Sequence, residues 1–382
     1  MNEMTLSRTR PVLPSLLGCF AVCPAKYLLE SEAHSYARLP QHPVVILGRV
    51  VHKLIDSGKH KEVISGSYTV GQLENDFTIS LTASQRAGLV TNWIYNHYGI
   101  TGLVSRKMLI AQIRYARTLV PSVSKDVILK CERILPVGRE IKLTSCRFDM
   151  QGRADLIYQD YSGHLKVVDF KTSDVRDEQN EPKAAYLLQI AAYGMMVKEL
   201  VPDMSIELVL KGISDSWMGM LDHHLIERIT SIIRNINEFL PRNVPISVYD
   251  LASVGGHCLS CSCRCSCPVY VEKLQGQAQY LYFNTQYCGI DIYGQLLEVE
   301  SDSHLLTLKI LLEDSSIVKV FRIPANVIPD PMKITGKKIA LYGLRTFGEP
   351  PIGTVPQNFY VINLQDIRNS ALQFHLQYEG CG

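Results

Sequence analysis

Two carboxylates and one amine lie close together in the stretch from Gly152 to Lys171. Asp169 and Lys171 are two positions apart, and Asp155 precedes Asp169 by fourteen positions. Carboxylate oxygens are the ligands that Mg²⁺ and Mn²⁺ prefer, and a neighbouring lysine can orient or deprotonate a nucleophile. Such a set suits phosphodiester hydrolysis, in which a divalent metal activates water and neutralises developing charge.

The elements that must position these groups are two strands of a hairpin, predicted over residues 153–159 and 165–170 with a polar turn between them. Strand side chains alternate between faces, so Asp169 and Lys171 point the same way. A hairpin register could also bring Asp155 near Asp169. A lone Asp-x-Lys more often decorates a solvated face. Here it follows an apolar run that ends at Val168, and this context favours function.

Three short segments together resemble the PD-(D/E)XK nuclease superfamily, and most closely its RecB and AddB branch. They are Gly152-Arg-Ala-Asp155, Val167-Val-Asp169-Phe-Lys171-Thr and Gln189-Ile-Ala-Ala-Tyr193. The resemblance implies an α/β fold, a restriction-endonuclease-like mixed sheet flanked by helices. It also implies a catalytic set consisting of Asp155, Asp169, Lys171, Gln189 and Tyr193.

Residues 183–198 are predicted to form the helix that carries Gln189 and Tyr193, which share one helix face because they are four apart. The alternative is an ordinary buried helix whose two polar groups are satisfied locally. A second helix, predicted over residues 44–56, carries His52. A lone histidine is usually a surface or core residue, but the resemblance implies that His52 joins Asp155 and Asp169 as a metal ligand.

Composition sets broad limits on the class of protein. The 382 residues are 46% apolar and 20% charged, as in soluble proteins of two or three domains. No run of about 18 apolar residues or charged-then-apolar leader is present, which predicts a cytoplasmic protein without membrane contact. A net charge of +2 requires any nucleic-acid surface to be local. Arg106, Lys107, Arg114 and Arg117 could line such a surface, or be ordinary surface charges.

Cysteines give the second strong signal, since five of the eleven fall between Cys258 and Cys267. Crowded cysteines in an intracellular protein bind metal more often than they form disulfides. Cys258, Cys261 and Cys267 form a C-x2-C-x5-C pattern that supplies three thiolates. A metal site with four thiolate ligands needs one more. Cys23, in a Cys-Pro-x-Lys-Tyr setting, is available before the hairpin.

In iron-sulfur members of the RecB and AddB branch, including CRISPR-associated relatives, one cysteine before the nuclease core and three after it hold a structural [4Fe-4S] cluster. The resemblance therefore implies such a cluster on Cys23, Cys258, Cys261 and Cys267. Zinc in a four-cysteine site is the competing interpretation, because Zn²⁺ accepts the same ligands. Three further thiols could substitute as ligands, and they are Cys19, Cys263 and Cys265.

The chain is predicted to change character near residue 275. Residues 1–275 would form the nuclease domain, and residues 276–382 a β-rich domain with five strands and a short helix after the third. This order predicts an OB-like small barrel, which could bind single strands or dock a partner such as a helicase.

Taken together, the motifs predict a Mg²⁺- or Mn²⁺-dependent deoxyribonuclease, a hydrolase acting as a single-stranded DNA exonuclease in repair, recombination or antiviral defence. The alternative is a non-catalytic DNA-binding or helicase-docking subunit of a larger complex. A zinc-bound regulatory DNA-binding protein is a third hypothesis. The chain has no G-x-x-x-x-G-K-[ST] loop, so ATP-driven unwinding would need another polypeptide.

Overall fold

The computed structural model describes most of the chain and divides it into two compact units. The described residues are 4–32, 39, 43–56, 60–86, 104–119, 137–161, 163–276, 280–282, 290–302, 305–325, 330–346, 358–360 and 375–378. The first unit comprises residues 1–33, 47–77 and 106–252, and the second comprises residues 34–46, 78–105 and 253–382. In the described part of the chain, every helix is too short or too polar to span a membrane.

The helices of the described residues are short to medium in length. In chain order they are α1 (Leu17–Val22), α2 (Pro24–Ser31), α3 (Pro43–Asp56), α4 (His60–Ser65), α5 (Val70–Arg86), α6 (Arg106–Leu119), α7 (Ala184–Leu200), α8 (His223–Phe239), α9 (Val248–Leu251), α10 (Pro268–Gly276) and α11 (Pro331–Ile334).

The first unit is built on a five-stranded mixed sheet. Its strands are β2 (Gly138–Ser145), β3 (Met150–Gln159), β4 (Leu165–Phe170), β5 (Ile206–Lys211) and β6 (Ser216–Met220), in that spatial order. Strands β4 and β5 run parallel, and the other neighbours run antiparallel. A short pair, β1 (Thr5–Leu6) and β7 (Ile246–Ser247), forms a separate sheet.

Helix α7 forms the crossover that the parallel pair β4–β5 requires, and it packs against both strands. An unbroken run from Ile190 to Val197 is buried, so this helix is apolar on all sides and lies in the core. Helix α8 is instead amphipathic, burying Ile229, Ile233 and Ile236 at helical spacing. Its first turn is capped by Asp222, whose side chain accepts a hydrogen bond from the Leu225 amide.

The sequence-based elements around the site agree with the structure to within a few residues. The sequence predicts the first strand of the core over residues 132–148. In the structure this strand begins at Gly138 and ends at Ser145, and residues 132–136 lie outside the described residues. A tight turn follows, in which Asp149 adopts a positive φ of 47°. The sequence analysis did not predict strand β6, in which the partly buried Trp217 and Gly219 alternate with exposed residues.

The second unit contains a seven-stranded sheet. Its strands are β8 (Tyr280–Tyr282), β9 (Ile290–Asp302), β10 (Leu305–Leu311), β11 (Ile317–Pro324), β12 (Lys338–Thr346), β13 (Asn358–Tyr360) and β14 (His375–Tyr378). Strand β12 pairs with both β13 and β9, which closes five strands into a ring in the order β9-β10-β11-β13-β12. Buried Leu306, Leu308 and Ile310 alternate along β10 and face the interior of this ring.

Candidate active site

Three acidic residues lie at the same level of three neighbouring strands. In the β2–β3 ladder Arg139 faces Leu156 and Ile141 faces Ala154, so Glu140 stands opposite Asp155. In the β3–β4 ladder Leu156 faces Val168, which sets Asp155 next to Asp169. The sheet register therefore gathers three carboxylates that are fourteen or fifteen positions apart in the sequence.

Asp155 is fixed by the main chain of the neighbouring strand. Its Oδ2 accepts a hydrogen bond of 2.7 Å from the Phe170 amide. Its Oδ1 lies 3.8 Å from Nδ1 of His52. The predicted proximity of Asp155 to the Asp-x-Lys segment is thus present in the fold.

Asp169, Lys171 and Gln189 form a closed triangle of contacts. The Nζ of Lys171 lies 2.7 Å from Oδ2 of Asp169 and donates to Oε1 of Gln189 at 2.8 Å. The Nε2 of Gln189 donates to Oδ1 of Asp169 at 3.1 Å. Because α7 holds Gln189 above the strand, the ammonium group is fixed at one position beside the carboxylate.

Two tyrosines of α7 complete this side of the site. Tyr193 is buried, and desolvation together with the nearby charge of Asp169 raises its pKa to about 12. It packs so closely on β3 that a Cβ on Gly152 would lie 2.6 Å from its ring. Tyr186, which sequence reasoning missed, has Lys171 Nζ 4.8 Å from its ring centroid and its hydroxyl 3.0 Å from Ser173 Oγ. Tyr186 precedes Gln189 by nearly one helical turn, a spacing that could have indicated it.

His52 reaches the carboxylates from α3. This helix approaches the end of β4 closely, since a Cβ on Gly48 would lie 2.5 Å from Oγ1 of Thr172. His52 follows Gly48 by one turn, so it lies on the helix face that approaches the sheet, and its ring comes near Asp155. His52, Glu140 and Asp155 each offer a ligand atom, and these atoms all lie within 4.8 Å of one another.

Glu140 is an acidic residue that was not among the predicted site residues, although the resemblance has an acidic residue near this position in some relatives. It lies within β2 yet has a positive φ of 49°, a conformation that non-glycine residues rarely adopt. Its Oε2 also forms a 2.5 Å ion pair with Nε of Arg153. The unusual backbone angle occurs at the level of the carboxylate group, where strained residues often serve function.

The donor set fits a divalent cation of the Mg²⁺ or Mn²⁺ type. Carboxylate oxygens suit both ions, and Glu140 and Asp155 supply them, whereas the imidazole of His52 suits Mn²⁺ better than Mg²⁺. Asp169 Oδ2 is buried, and the ammonium group of Lys171 lies 2.7 Å from it. A carboxylate oxygen has two lone pairs, so this oxygen keeps acceptor capacity that a cation could use.

The cysteine-rich segment belongs to the second unit. Cys258, Cys261 and Cys267 are buried, at 7%, 7% and 9% exposure, and short 3₁₀ turns connect them. Cys263 and Cys265 are buried as well, and burial raises the pKa of Cys265 to about 11. The described cysteines form no disulfide.

A buried ion pair anchors this segment to β9. Arg264, 2% exposed, donates from Nε to Oδ2 of Asp291 at 2.7 Å, and Asp291 is fully buried. The hydroxyl of Tyr270 donates to the same oxygen at 2.5 Å. Desolvation and the charge of Asp291 hold the pKa of Tyr270 well above its usual value. The cysteine turns and the strand ring are therefore linked through one carboxylate.

Cys23 belongs to the first unit and precedes α2, where Pro24 is the first helical residue. Its side chain is buried, at 6% exposure. The grouping of Cys23 with Cys258, Cys261 and Cys267 stays a prediction.

Comparison with known protein families gives a match over most of the chain. The sequence model of the PD-(D/E)XK nuclease superfamily matches residues 13–268. No curated protein matches the chain.

Two solved structures resemble the chain at low similarity. The crystal structure of SSO0001 is 18% identical, with 47% of this chain and 79% of that chain covered and a TM-score of 0.25. A crystal structure from Eubacterium rectale, provisionally named an exonuclease, is 10% identical, with 62% and 84% covered and a TM-score of 0.34. Because the family model spans more than half of the residues, including the three motif segments, the chain belongs to the PD-(D/E)XK nuclease superfamily.

Proposed function

We propose that this protein is a Mg²⁺- or Mn²⁺-dependent deoxyribonuclease that digests single-stranded DNA from an end, as a member of the RecB and AddB branch. The observation that carries the proposal is the triangle of Asp169, Lys171 and Gln189 beside the group of His52, Glu140 and Asp155. A nuclease of this class needs metal ligands and a positioned lysine within one small site, and these contacts support that arrangement.

The division of roles follows from the contacts. Asp155, Asp169 and His52 are proposed as metal ligands, and a bound ion would supply an activated water and neutralise charge on the phosphate. Lys171 is held by Asp169 and Gln189, so its positive charge is preorganised toward the reacting phosphate. Tyr193 and Gln189 would support the lysine side of the site.

The test is a cleavage assay on linear and circular single strands with Mg²⁺ or Mn²⁺. We expect the wild type to digest linear strands and spare circles, and Asp169→Asn or Lys171→Ala to abolish digestion. Lys166→Gln is the matched control, because Lys166 lies on the same strand but pairs with Glu207, 2.9 Å away. A wild type that binds DNA without cutting it would favour a non-catalytic DNA-binding or helicase-docking subunit instead.

We also propose a [4Fe-4S] cluster held by Cys23, Cys258, Cys261 and Cys267. The resemblance supports the ligand set, and the burial of all four sulfur-bearing side chains agrees with a structural cluster. Such use of reduced thiols suits a cytoplasmic location.

Anaerobic purification followed by iron and sulfide quantification tests the cluster. A brown protein with both elements supports it, whereas a colourless protein containing zinc contradicts it. Substitution of each proposed ligand by serine should remove the visible absorption, and Cys146→Ser is the control because Cys146 is exposed.

The strand ring of the second unit supports an OB-like barrel. The order β9-β10-β11-β13-β12 closes on β9, β11 and β13 run parallel, and α11 lies between β11 and β12. A five-stranded Greek-key barrel of this kind commonly binds oligonucleotides. We propose single-stranded DNA as its partner, with a helicase as the alternative. Retention of the purified protein on immobilised single-stranded DNA, compared with that of a Lys319→Gln variant in β11, is the test, and equal retention would contradict the proposal.

A further inference from the structure

A cavity of about 620 Å³ opens beside α6 in the first unit. Three of its lining side chains are the cations Arg106, Lys107 and Arg114, all exposed, and its lining includes no acidic residue. Its remaining lining is largely apolar and includes Ile110 and Ile213. A cavity with this lining favours an anionic ligand that also offers an apolar surface.

The position of the cations along α6 strengthens this conclusion. Arg106 and Lys107 are the first two residues of the helix, and its first turn has no acidic residue. Cations at a helix N-terminus oppose the helix dipole, so an anion bound there would interact favourably with both the dipole and the side chains. Arg114 follows Lys107 by two turns, about 10 Å along the axis. That length exceeds the spacing of neighbouring charges on one nucleic-acid strand.

Hydrogen bonds tie α6 to the chain segment that carries the catalytic lysine. The hydroxyl of Tyr115, another lining residue, donates to the Lys211 carbonyl at 2.6 Å, and the Lys171 amide donates to the same oxygen at 2.8 Å. Gln112 Nε2 donates to the Thr172 carbonyl at 3.2 Å. The Lys211 carbonyl therefore links Tyr115, which lines the cavity, to the backbone of Lys171.

We propose that this cavity binds the phosphodiester backbone of the substrate strand next to the phosphate that is cleaved, an inference that rests on the proposed nuclease function. Arg106, Lys107 and Arg114 contact successive phosphates, and the apolar lining lies against sugar or base. The ligand class is a single-stranded nucleic acid, which presents several phosphates in a row. A small free anion would engage only one end of the cavity.

The test compares two double variants that each remove two positive charges. Arg106→Gln with Arg114→Gln alters the cavity, whereas Arg228→Gln with Arg234→Gln alters exposed cations of α8 and is the control. The probe is a fluorescent oligodeoxythymidylate, and anisotropy is measured with EDTA so that no cleavage occurs. Thermal unfolding verifies that both variants fold.

The cavity variant should bind the probe about 10- to 30-fold more weakly near 0.1 M salt. The slope of the logarithm of its binding constant against the logarithm of salt concentration should decrease in magnitude by about 1.4, or about 0.7 for each lost phosphate contact. The control should retain the wild-type slope. Equal losses in the two variants, or no loss in the cavity variant, would overturn the inference. Displacement of the probe by micromolar pyrophosphate would also overturn it, because the cavity would then be a small-anion site.

Cleavage by the same proteins with Mn²⁺ separates this inference from the nuclease proposal. We expect a higher KM and an unchanged kcat for the cavity variant, because Asp155, Asp169 and Lys171 remain intact. A wild type that binds the probe through the cavity but does not cleave it would refute the nuclease proposal and leave the binding site standing. A wild type that cleaves, with a cavity variant equal to the control, would refute only the binding site.

Discussion

The amide of Phe170 in β4 donates a 2.7 Å hydrogen bond to Oδ2 of Asp155 in the neighbouring strand β3. This bond fixes the carboxylate and turns its other oxygen toward His52, whose Nδ1 lies 3.8 Å away. Asp155 therefore has a structural contact and a proposed metal contact on different oxygens. Substitution can separate the two roles.

Asp155→Asn should keep the fold and lose the activity. The amide oxygen of asparagine can still accept from Phe170, but the metal loses a charged ligand, so cleavage should fall by at least about 10²-fold. Asp155→Ala should also lose the hydrogen bond and about 1–3 kcal/mol of stability. Chemical denaturation and initial cleavage rates measure both effects. Full activity of the asparagine variant would contradict the assignment of Asp155 as a ligand.

Glu140→Gln should weaken metal activation. Because Glu140 shares a group with His52 and Asp155, removal of its charge should raise the Mn²⁺ concentration for half-maximal cleavage by about 10- to 100-fold, with partial rescue at high metal. Arg153→Gln is the control, since it removes only the ion-pair partner of Glu140. An identical metal dependence in wild type and Glu140→Gln would show that Glu140 serves the ion pair alone.

Tyr186 should act as a positioning residue for Lys171. Tyr186→Phe retains a ring at the 4.8 Å contact, whereas Tyr186→Leu removes it. The leucine variant should lose about three- to tenfold in kcat, corresponding to the usual strength of a partly exposed cation–π contact, while KM stays constant. Phenylalanine should restore most of the rate. Equal rates for the two variants would argue that the ring has no effect on the lysine.

Asp291→Ala should destabilise the second unit strongly. Arg264 is almost fully buried, and loss of its partner would leave an uncompensated charge at a cost of about 3–5 kcal/mol. The hydroxyl of Tyr270 would lose its acceptor as well. Denaturant unfolding measures the change, and Glu298→Gln is the control because its pair with Lys309 is solvent-exposed. A similar midpoint for both variants would contradict a stabilising role of Asp291.

The local sequence pattern was sufficient to predict those parts of the site whose geometry depends on residues close together in the chain. Alternation in a strand predicted that Asp169 and Lys171 share one face, and helical spacing predicted the same for Gln189 and Tyr193. In the structure Lys171 contacts both Asp169 and Gln189. Membership of the nuclease superfamily followed from the same segments. The roles of these residues, the iron-sulfur cluster and the domain boundary at 275 stay predictions.

Tertiary structure alone decided that Glu140 joins the group of His52 and Asp155, and that Asp291 pairs with Arg264. Glu140 reaches the site because the β2–β3 register places it opposite Asp155 and its backbone adopts a positive φ. Asp291 neutralises Arg264 because strand β9 packs against the cysteine turns. Register and packing depend on the burial of apolar surface across the whole sheet, and a window of neighbouring residues does not contain that information.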